Sequence, residues 1–120
     1  MRKTVVRLNV DLTVKDSQLD EFKKVALAMT AGSEWEQGTL GYEWFSSADG
    51  RQWRLLEIYA DAAAVLAHFK GPVVTELVPK LAALCTVDRF EIYGDAGPQV
   101  TQMAGALGAR TFAYTTGLTR

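Results

Sequence analysis

The first stretch of the chain alternates between apolar and polar positions. Even-numbered positions up to Val14 are mostly apolar, and the odd-numbered positions between them are mostly polar. A period of two is typical of a β-strand that buries one face. After Ser17, which suits a helix start of the capping-box type, apolar residues recur at helical spacing as far as Gly32. The pattern therefore predicts a strand over residues 3–14 and a helix after it.

The middle of the chain predicts a β-hairpin. Strand-like sequence over residues 40–46 and 52–60 flanks an Asp49-Gly50 step, which is a strong signal for a tight turn. We expect Pro79 to kink a helix further along the chain. Beyond the hairpin the pattern predicts helices over residues 62–69 and 72–84, a strand over residues 86–93, a helix over residues 99–107 and a strand over residues 111–116.

The order of these elements favours an α+β fold. Strands and helices follow as β-α-β-β-α-α-β, and residues 97–120 form an extension with a helix and an edge strand. Four core strands interrupted by helices are too few for a β-sandwich, whereas a ferredoxin-like, four-stranded antiparallel sheet with its helices on one face accommodates them. No internal repeat or low-complexity segment divides the chain, so we predict a single domain over residues 1–120.

Both faces of the second and third predicted strands carry large apolar side chains. Tyr42 and Trp44 stand on one face, whereas Phe45 stands on the other. Helices in a two-layer fold cover only one of these faces, so the other would expose more apolar surface than a monomer usually carries. We therefore predict a homodimer, with the two-fold symmetry that is most common among soluble oligomers.

The rarest residues narrow the possible chemistry. The 120 residues include one histidine, His68, and one cysteine, Cys85. A zinc site needs three or four ligands that are mainly His and Cys, and an iron–sulfur cluster or an internal disulfide needs more than one cysteine. The acidic residues show no EF-hand spacing, and no Walker loop or Gly-x-Gly-x-x-Gly sequence is present. We therefore predict neither a metal site nor a nucleotide cofactor.

The charge and hydropathy of the chain limit the kinds of partner that we expect. The 13 basic and 14 acidic residues leave a net charge of −1, which gives no electrostatic reason to bind nucleic acid. No apolar run approaches the roughly 20 residues of a membrane span. The N-terminal residues lead directly into the first predicted strand and lack the apolar core of a signal peptide. We expect a cytoplasmic protein whose partners are neither nucleic acid nor a membrane.

Residues 38–69 resemble a known family. They read Gly-Thr-Leu-Gly-Tyr-Glu-Trp-Phe before the hairpin turn, then Arg-Leu-Leu-Glu-Ile-Tyr-Ala-Asp, and finally Ala-His-Phe. This stretch is similar to the antibiotic biosynthesis monooxygenase family, whose members are small dimeric α+β barrels built from two ferredoxin-like halves. The resemblance leaves out the C-terminal extension. The matching positions are Leu40, Tyr42, Glu57, Tyr59, Asp61 and His68.

The resemblance implies a reaction and a place for it. The reaction would be oxidation of a small electron-rich aromatic, such as a phenol, a quinol or an anthrone-like polyketide, by O2 without a metal or flavin. The pocket would lie between the sheet and the helices of one subunit. The chain departs from the family after His68, because Gly71-Pro72-Val73-Val74 stands where many members have a second histidine. The next helix also lacks the histidine that binds iron in haem-degrading members, so haem degradation by that route is not expected.

Two residues are candidates for catalysis. Histidine titrates near neutral pH, so His68 is suited to remove a phenolic proton. The alternative is a histidine at the edge of the core that only forms a hydrogen bond or faces solvent. Glu57 stands in a row of apolar residues, where a carboxylate is costly unless it is paired. It is therefore either functional or held in a structural ion pair, for which the candidate partners are Arg7, Arg54 and Arg89.

Four further residues are candidates for substrate binding. Tyr42, Trp44 and Tyr59 would line a flat aromatic pocket, although aromatic rows of this kind also occur in cores and interfaces. Asn9 stands on the polar face of the first predicted strand, where related enzymes place an asparagine that orients the substrate oxygen. A strand register shifted by one residue, or a role in dimer contacts, would change that assignment.

Three functions remain open from the sequence. The first is a cofactor-independent monooxygenase in which His68, or Glu57 through a water molecule, deprotonates a hydroxyl group so that the anion can pass an electron to O2. The second is a non-catalytic dimeric module, small-molecule-binding or stress-associated, whose space between sheet and helices is filled by side chains. The third is an isomerase or lyase that uses the acid–base pair without oxygen. A cavity beside His68 and Glu57 is the feature that would distinguish them.

Overall fold

Within the described part of the chain, five strands and four α-helices follow one another in the predicted order. The computed structural model describes residues 4–120. Among these residues, no helix combines the length and the apolar character needed to cross a bilayer. The elements are β1 (Val6–Val14), α1 (Leu19–Ser33), β2 (Thr39–Ser46), β3 (Gln52–Tyr59), α2 (Ala62–Lys70), α3 (Val78–Ala82), β4 (Cys85–Tyr93), α4 (Gly97–Gly105) and β5 (Arg110–Phe112).

The strands form one sheet in the order β2-β3-β1-β4-β5. The central strand β1 pairs antiparallel with β3 and with β4, and β2 pairs antiparallel with β3. These four strands and their helices make the predicted ferredoxin-like α+β fold. β5 joins β4 in parallel, which requires a crossover connection, and α4 lies in that connection. The edge strand is shorter than the predicted residues 111–116.

The helices pack on one face of the sheet through two apolar clusters. The first cluster joins Leu8 of β1 to α2 and α4. The second joins Leu12, further along the same strand, to α1 and α3. Both residues belong to the alternating apolar set of the sequence, so the period of two correctly predicts which side of β1 is buried. The opposite face of the sheet, which we call the outer face, carries Asn9, Phe45 and Leu56.

The segment before β4 is the helix predicted over residues 72–84, with a local change of hydrogen-bond pattern. The backbone is helical without a break over residues 72–82. Residues Val73–Leu77 form a π-helical turn, and α3 continues over Val78–Ala82. Pro79 lies directly after the π-helical turn and has no N–H group to donate to the preceding turn. The irregularity therefore falls where Pro79 was expected to disturb the helix.

Gly38 allows α2 to approach the start of β2. A Cβ atom at this position would lie 2.4 Å from the Cβ atom of Ala64, at the start of α2. We therefore expect Gly38→Ala to lower the free energy of unfolding by about 1–3 kcal/mol, as overpacking does, in urea denaturation. Gly105→Ala is the matched control, because a Cβ atom there would have no neighbour within 4 Å. Equal losses in the two variants would contradict this explanation.

Candidate active site

A cavity of about 190 Å³ lies between the core face of the sheet and the helices. It follows β1 past Leu8, Val10 and Leu12, where the two apolar clusters meet. Most of the residues around it are aliphatic. The polar side chains that line it are Tyr42, Glu57 and His68. The structure therefore places an open space beside the two residues that the sequence singled out for catalysis.

His68 is held inside the fold by α2. The helix begins at Asp61, whose carboxylate accepts a hydrogen bond of 2.9 Å from the backbone N–H of Ala64. Such an N-terminal cap fixes where the helix starts, and so it fixes which face each later residue occupies. His68 then points to the sheet and is 2% exposed.

A carboxylate from a different part of the chain orients the imidazole. His68 Nδ1 lies 2.7 Å from Glu36 Oε1, in the loop between α1 and β2. Thr39 donates a second hydrogen bond of 2.7 Å to the same oxygen. A carboxylate accepts hydrogen bonds, so the proton of a neutral imidazole belongs on Nδ1. Nε2 is then left with a free lone pair on the other side of the ring.

Nε2 of His68 faces a second carboxyl group. It lies 3.7 Å from Glu57 Oε1, which is longer than a hydrogen bond but close enough for charges to interact. Tyr59 donates a hydrogen bond of 2.5 Å to the same oxygen. Burial raises the pKa of Glu57, whereas a positive charge on His68, when the ring is protonated, and the hydrogen bond from Tyr59 partly oppose this rise. The site thus joins a lone pair on nitrogen to a carboxyl group that holds its proton well.

Tyr42 completes the polar end of the cavity. Its ring centroid lies 5.6 Å from that of His68. Burial raises the pKa of the Tyr42 phenol, and the charges of Glu57 and Glu36 raise it further. The hydroxyl group therefore stays protonated and can donate a hydrogen bond to an oxygen atom in the cavity.

The structural alternative for Glu57, an ion pair with Arg7, Arg54 or Arg89, is not found among the described residues. Arg54 and Arg89 pair instead with Asp11, at 3.1 Å and 3.7 Å. Asp11 belongs to the odd-numbered set of β1 and lies on the outer face of the sheet, and Arg7 belongs to the same set. Glu57 points to the core, so these arginines are on the wrong side to reach it.

A comparison of the sequence with models of protein families identifies the family. A family model described as antibiotic biosynthesis monooxygenase matches residues 5–80, which is more than half of the chain. The chain belongs to the antibiotic biosynthesis monooxygenase family. No curated protein matches it in sequence. The match ends at residue 80, so β4, α4 and β5 lie outside it.

Solved structures share the fold of this family member at low sequence identity. MupZ from Pseudomonas fluorescens is 19% identical with a TM-score of 0.82, over 98% of this chain and 95% of that chain. Rv0793 from Mycobacterium tuberculosis is 20% identical with a TM-score of 0.69, over 79% and 98%. SnoaB from Streptomyces nogalater, a cofactor-independent oxygenase, is 17% identical with a TM-score of 0.68, over 79% and 96%. At these identities the likeness shows the fold alone.

Asn9 is not brought to the cavity. It pairs with Leu56 of β3 and Glu91 of β4, and its side chain lies on the outer face with those of the other odd-numbered residues. Leu8 and Val10, on either side of it, line the cavity instead. Successive side chains of a strand point to opposite faces, so Asn9 cannot orient a substrate there, and that expectation is corrected.

Trp44 lies on the core face but away from His68. Its indole N–H donates a hydrogen bond of 2.9 Å to Thr30 of α1. Its ring packs edge-on against Phe22 and Trp53. Trp44 therefore belongs to the packing between α1 and the sheet, which is the core alternative left open by the sequence. Tyr59 supports Glu57 through its hydrogen bond and does not line the cavity.

Sequence reasoning missed Glu36. The residue stands in a short polar loop without periodicity, and its partner His68 is 32 residues away. The local signal was Thr39, three residues later, because a Glu and a Thr at this spacing can bond to each other. Among residues 4–120, no group of three or more His, Cys, Asp and Glu side chains is arranged to hold a metal ion.

Cys85 lines the cavity near α3. Its thiol donates a hydrogen bond of 3.3 Å to the carbonyl oxygen of Leu81. Burial raises the pKa of the Cys85 thiol to about 11. The sulfur therefore stays protonated at neutral pH, as is typical of an inert buried thiol.

The raised pKa of Glu57 makes a testable contribution to stability. The folded protein holds this proton more tightly than the unfolded chain does, where the pKa is near 4.5. The contribution is therefore complete below pH 4.5 and is lost as the pH rises through the folded-state value. We expect the wild type to lose stability relative to Glu57→Gln between pH 4.5 and 8 in urea denaturation. Glu34→Gln, at an exposed position after α1, is the matched control, and a pH-independent difference for Glu57→Gln would contradict the expectation.

Proposed function

We propose that this protein is a cofactor-independent monooxygenase that oxidises a small phenol or quinol with O2. The observation that carries the proposal is the arrangement of His68, whose Nδ1 is held by Glu36 while its Nε2 faces the cavity and Glu57. The family supports an oxygen-using reaction. SnoaB, which shares the fold, is a cofactor-independent oxygenase.

The first step is the removal of a proton from the substrate hydroxyl by His68 Nε2. The resulting anion passes one electron to O2, and the organic radical and superoxide combine at a ring carbon ortho or para to the oxygen. His68 returns its proton to the peroxide and then takes the proton from that carbon. The O–O bond breaks, a carbonyl oxygen remains on the ring, and hydroxide leaves.

Glu57 suits the last proton transfer. Because burial raises its pKa, its carboxyl group is available to protonate the leaving hydroxide to water. It then recovers a proton from the His68 imidazolium, 3.7 Å away. In total, one phenol and one O2 give one quinone and one water. All the electrons that reduce O2 therefore come from the substrate. Tyr42 would donate a hydrogen bond to the substrate oxygen.

A second candidate is acid–base catalysis without oxygen, as in an isomerase or lyase. The pairing of a lone pair on His68 with a protonated Glu57 favours it, because such a pair can move a proton between two atoms of one substrate. The non-catalytic alternative with a filled interior agrees less well with the cavity of about 190 Å³. Turnover with and without O2 separates the two catalytic candidates.

Oxygen uptake tests the role of His68. With a single-ring quinol or phenol as substrate, we expect His68→Ala to reduce the rate by about 10²–10⁴-fold, which is typical for a lost general base. Glu36→Gln should reduce it by a smaller factor, since the amide still holds the ring but stabilises its charged form less. Glu34→Gln, an exposed glutamate two residues earlier, should leave the rate unchanged.

Two outcomes of that measurement would overturn the proposal. Oxygen uptake that is equal in His68→Ala and the wild type would remove His68 from the mechanism. Conversion of the substrate at an equal rate under nitrogen would favour the acid–base candidate.

We also propose that two copies pair through the outer face of the sheet. Phe45 and Leu56 are exposed there, and Asn9 Oδ1 is buried without a hydrogen-bond partner among the described residues. A second copy would cover the apolar side chains, and it could supply the missing donor.

Light scattering after size exclusion tests this pairing. We expect the mass of a dimer for the wild type and of a monomer for Leu56→Glu, because two buried charges would face each other across the two-fold axis. Leu27→Glu, at an exposed leucine on α1, is the matched control and should remain a dimer. A monomeric wild type would contradict the proposal.

A further inference from the structure

The cavity has two chemically different ends. Leu8 and Leu12 both line it, and four steps along a strand separate them by about 13 Å. Glu57 stands beside Leu8 in the pairing of β1 with β3, and Tyr42 stands beside Glu57. The polar groups therefore gather at the Leu8 end, whereas the Leu12 end is apolar.

The polar end carries acidic groups without a fixed cation. Glu57 lines it, and Glu36 lies behind His68. Among the described residues, no lysine or arginine lines this cavity. An anionic ligand would therefore be desolvated beside two acidic residues, without a fixed cation to pair with it. The polar group of the ligand that fits this end is uncharged.

The walls favour a narrow aliphatic ligand over a broad aromatic one. Of the expected aromatic lining, Trp44 packs under α1 and Tyr59 supports Glu57. Tyr42, Phe69 and Phe90 are the aromatic residues that do line the cavity. The remaining wall is formed largely by leucine, valine and other aliphatic residues. A cavity of about 150 Å³ holds a benzene molecule. The present cavity, of about 190 Å³, has room for one ring and a short chain but not for three fused rings.

The cavity opens to solvent at a mouth beside exposed apolar residues, one of which belongs to the C-terminal extension. Val87 of β4 and Leu107, which follows α4, line the cavity and are nevertheless 52% and 61% exposed. Leu107 and Val87 both lie outside the residues 5–80 that match the family model. The C-terminal extension therefore contributes part of the cavity wall through Leu107.

We propose that the site takes an uncharged amphiphile: a hydroxyl-bearing head of at most one ring at His68, and an aliphatic chain that runs along β1 to the mouth at Val87 and Leu107. This inference rests on the proposed function only in placing the hydroxyl group at His68. It names the substrate class and assigns Leu107 as a residue that determines specificity for the chain.

Calorimetric titration of the full-length protein in oxygen-free buffer at pH 7.5 tests the class. The probes are phenol, 4-butylphenol, 4-butylbenzoate and anthrone. Each buried methylene strengthens apolar binding about fourfold, so 4-butylphenol should bind at least about tenfold more tightly than phenol. 4-Butylbenzoate, with the same chain and a charged head, should bind at least about tenfold more weakly than 4-butylphenol, because its charge is buried without a partner. Anthrone should not compete with 4-butylphenol.

A pair of variants tests the mouth. Leu107→Lys should weaken binding of 4-butylphenol by about tenfold, since it replaces an apolar contact with a charge, and should leave phenol unaffected. Leu27→Lys is the matched control, because Leu27 is a similarly exposed leucine on α1 that does not line this cavity. Equal effects in the two variants would overturn the assignment of Leu107.

The result does not depend on turnover. Binding of 4-butylbenzoate or anthrone as tight as that of 4-butylphenol would overturn the inference even if oxygen uptake were observed. The expected order of affinities without any oxygen uptake would leave the inference standing and would overturn the monooxygenase.

Discussion

The hydrogen bond between His68 and Glu36 is the contact on which the site depends. A polar side chain is stable inside an apolar core only when its hydrogen bonds are made, and Glu36 makes this one at 2.7 Å. The contact joins α2 to the loop before β2, so it fixes the position of the helix along the sheet as well as the rotation of the ring. Glu57 lies on β3, which runs beneath α2, so its carboxyl group comes close to Nε2 of His68. One buried contact thus determines both the packing and the chemistry.

The core consists of two apolar clusters, and the cavity lies between them. Protein interiors are normally packed with few voids larger than a water molecule, yet the two apolar clusters leave a space where they meet along β1. The residues around that space lose contacts that a filled core would have. The π-helical turn Val73–Leu77 and the short α3 border the space. A regular helix there would have different side-chain directions and a different wall.

Sequence patterns predicted the features that depend on neighbouring residues and missed the contacts between residues far apart in the chain. The alternation along β1 correctly placed Leu8 and Leu12 in the core and Asn9 on the polar face, while the family resemblance suggested a substrate contact for Asn9 that the pleat does not allow. The resemblance also pointed to Glu57, Tyr42 and His68, which the fold brings together. The contact of Glu36 with His68 spans 32 residues and has no periodic signal. The approach of Leu107 to the cavity depends on parallel addition of β5 to β4, which no local pattern contains.

The buried thiol of Cys85 bears on the proposed function, because the proposed reaction would form a quinone in the cavity. Quinones are electrophiles that alkylate thiolates, and a cysteine in the wall of the cavity would be the first nucleophile that the product meets. With a pKa of about 11, only about one thiol in 10⁴ is ionised at pH 7. The same burial that shapes the cavity thus keeps its sulfur almost entirely in the unreactive form. A quinone formed as proposed would therefore meet very little thiolate at Cys85 before it leaves the cavity.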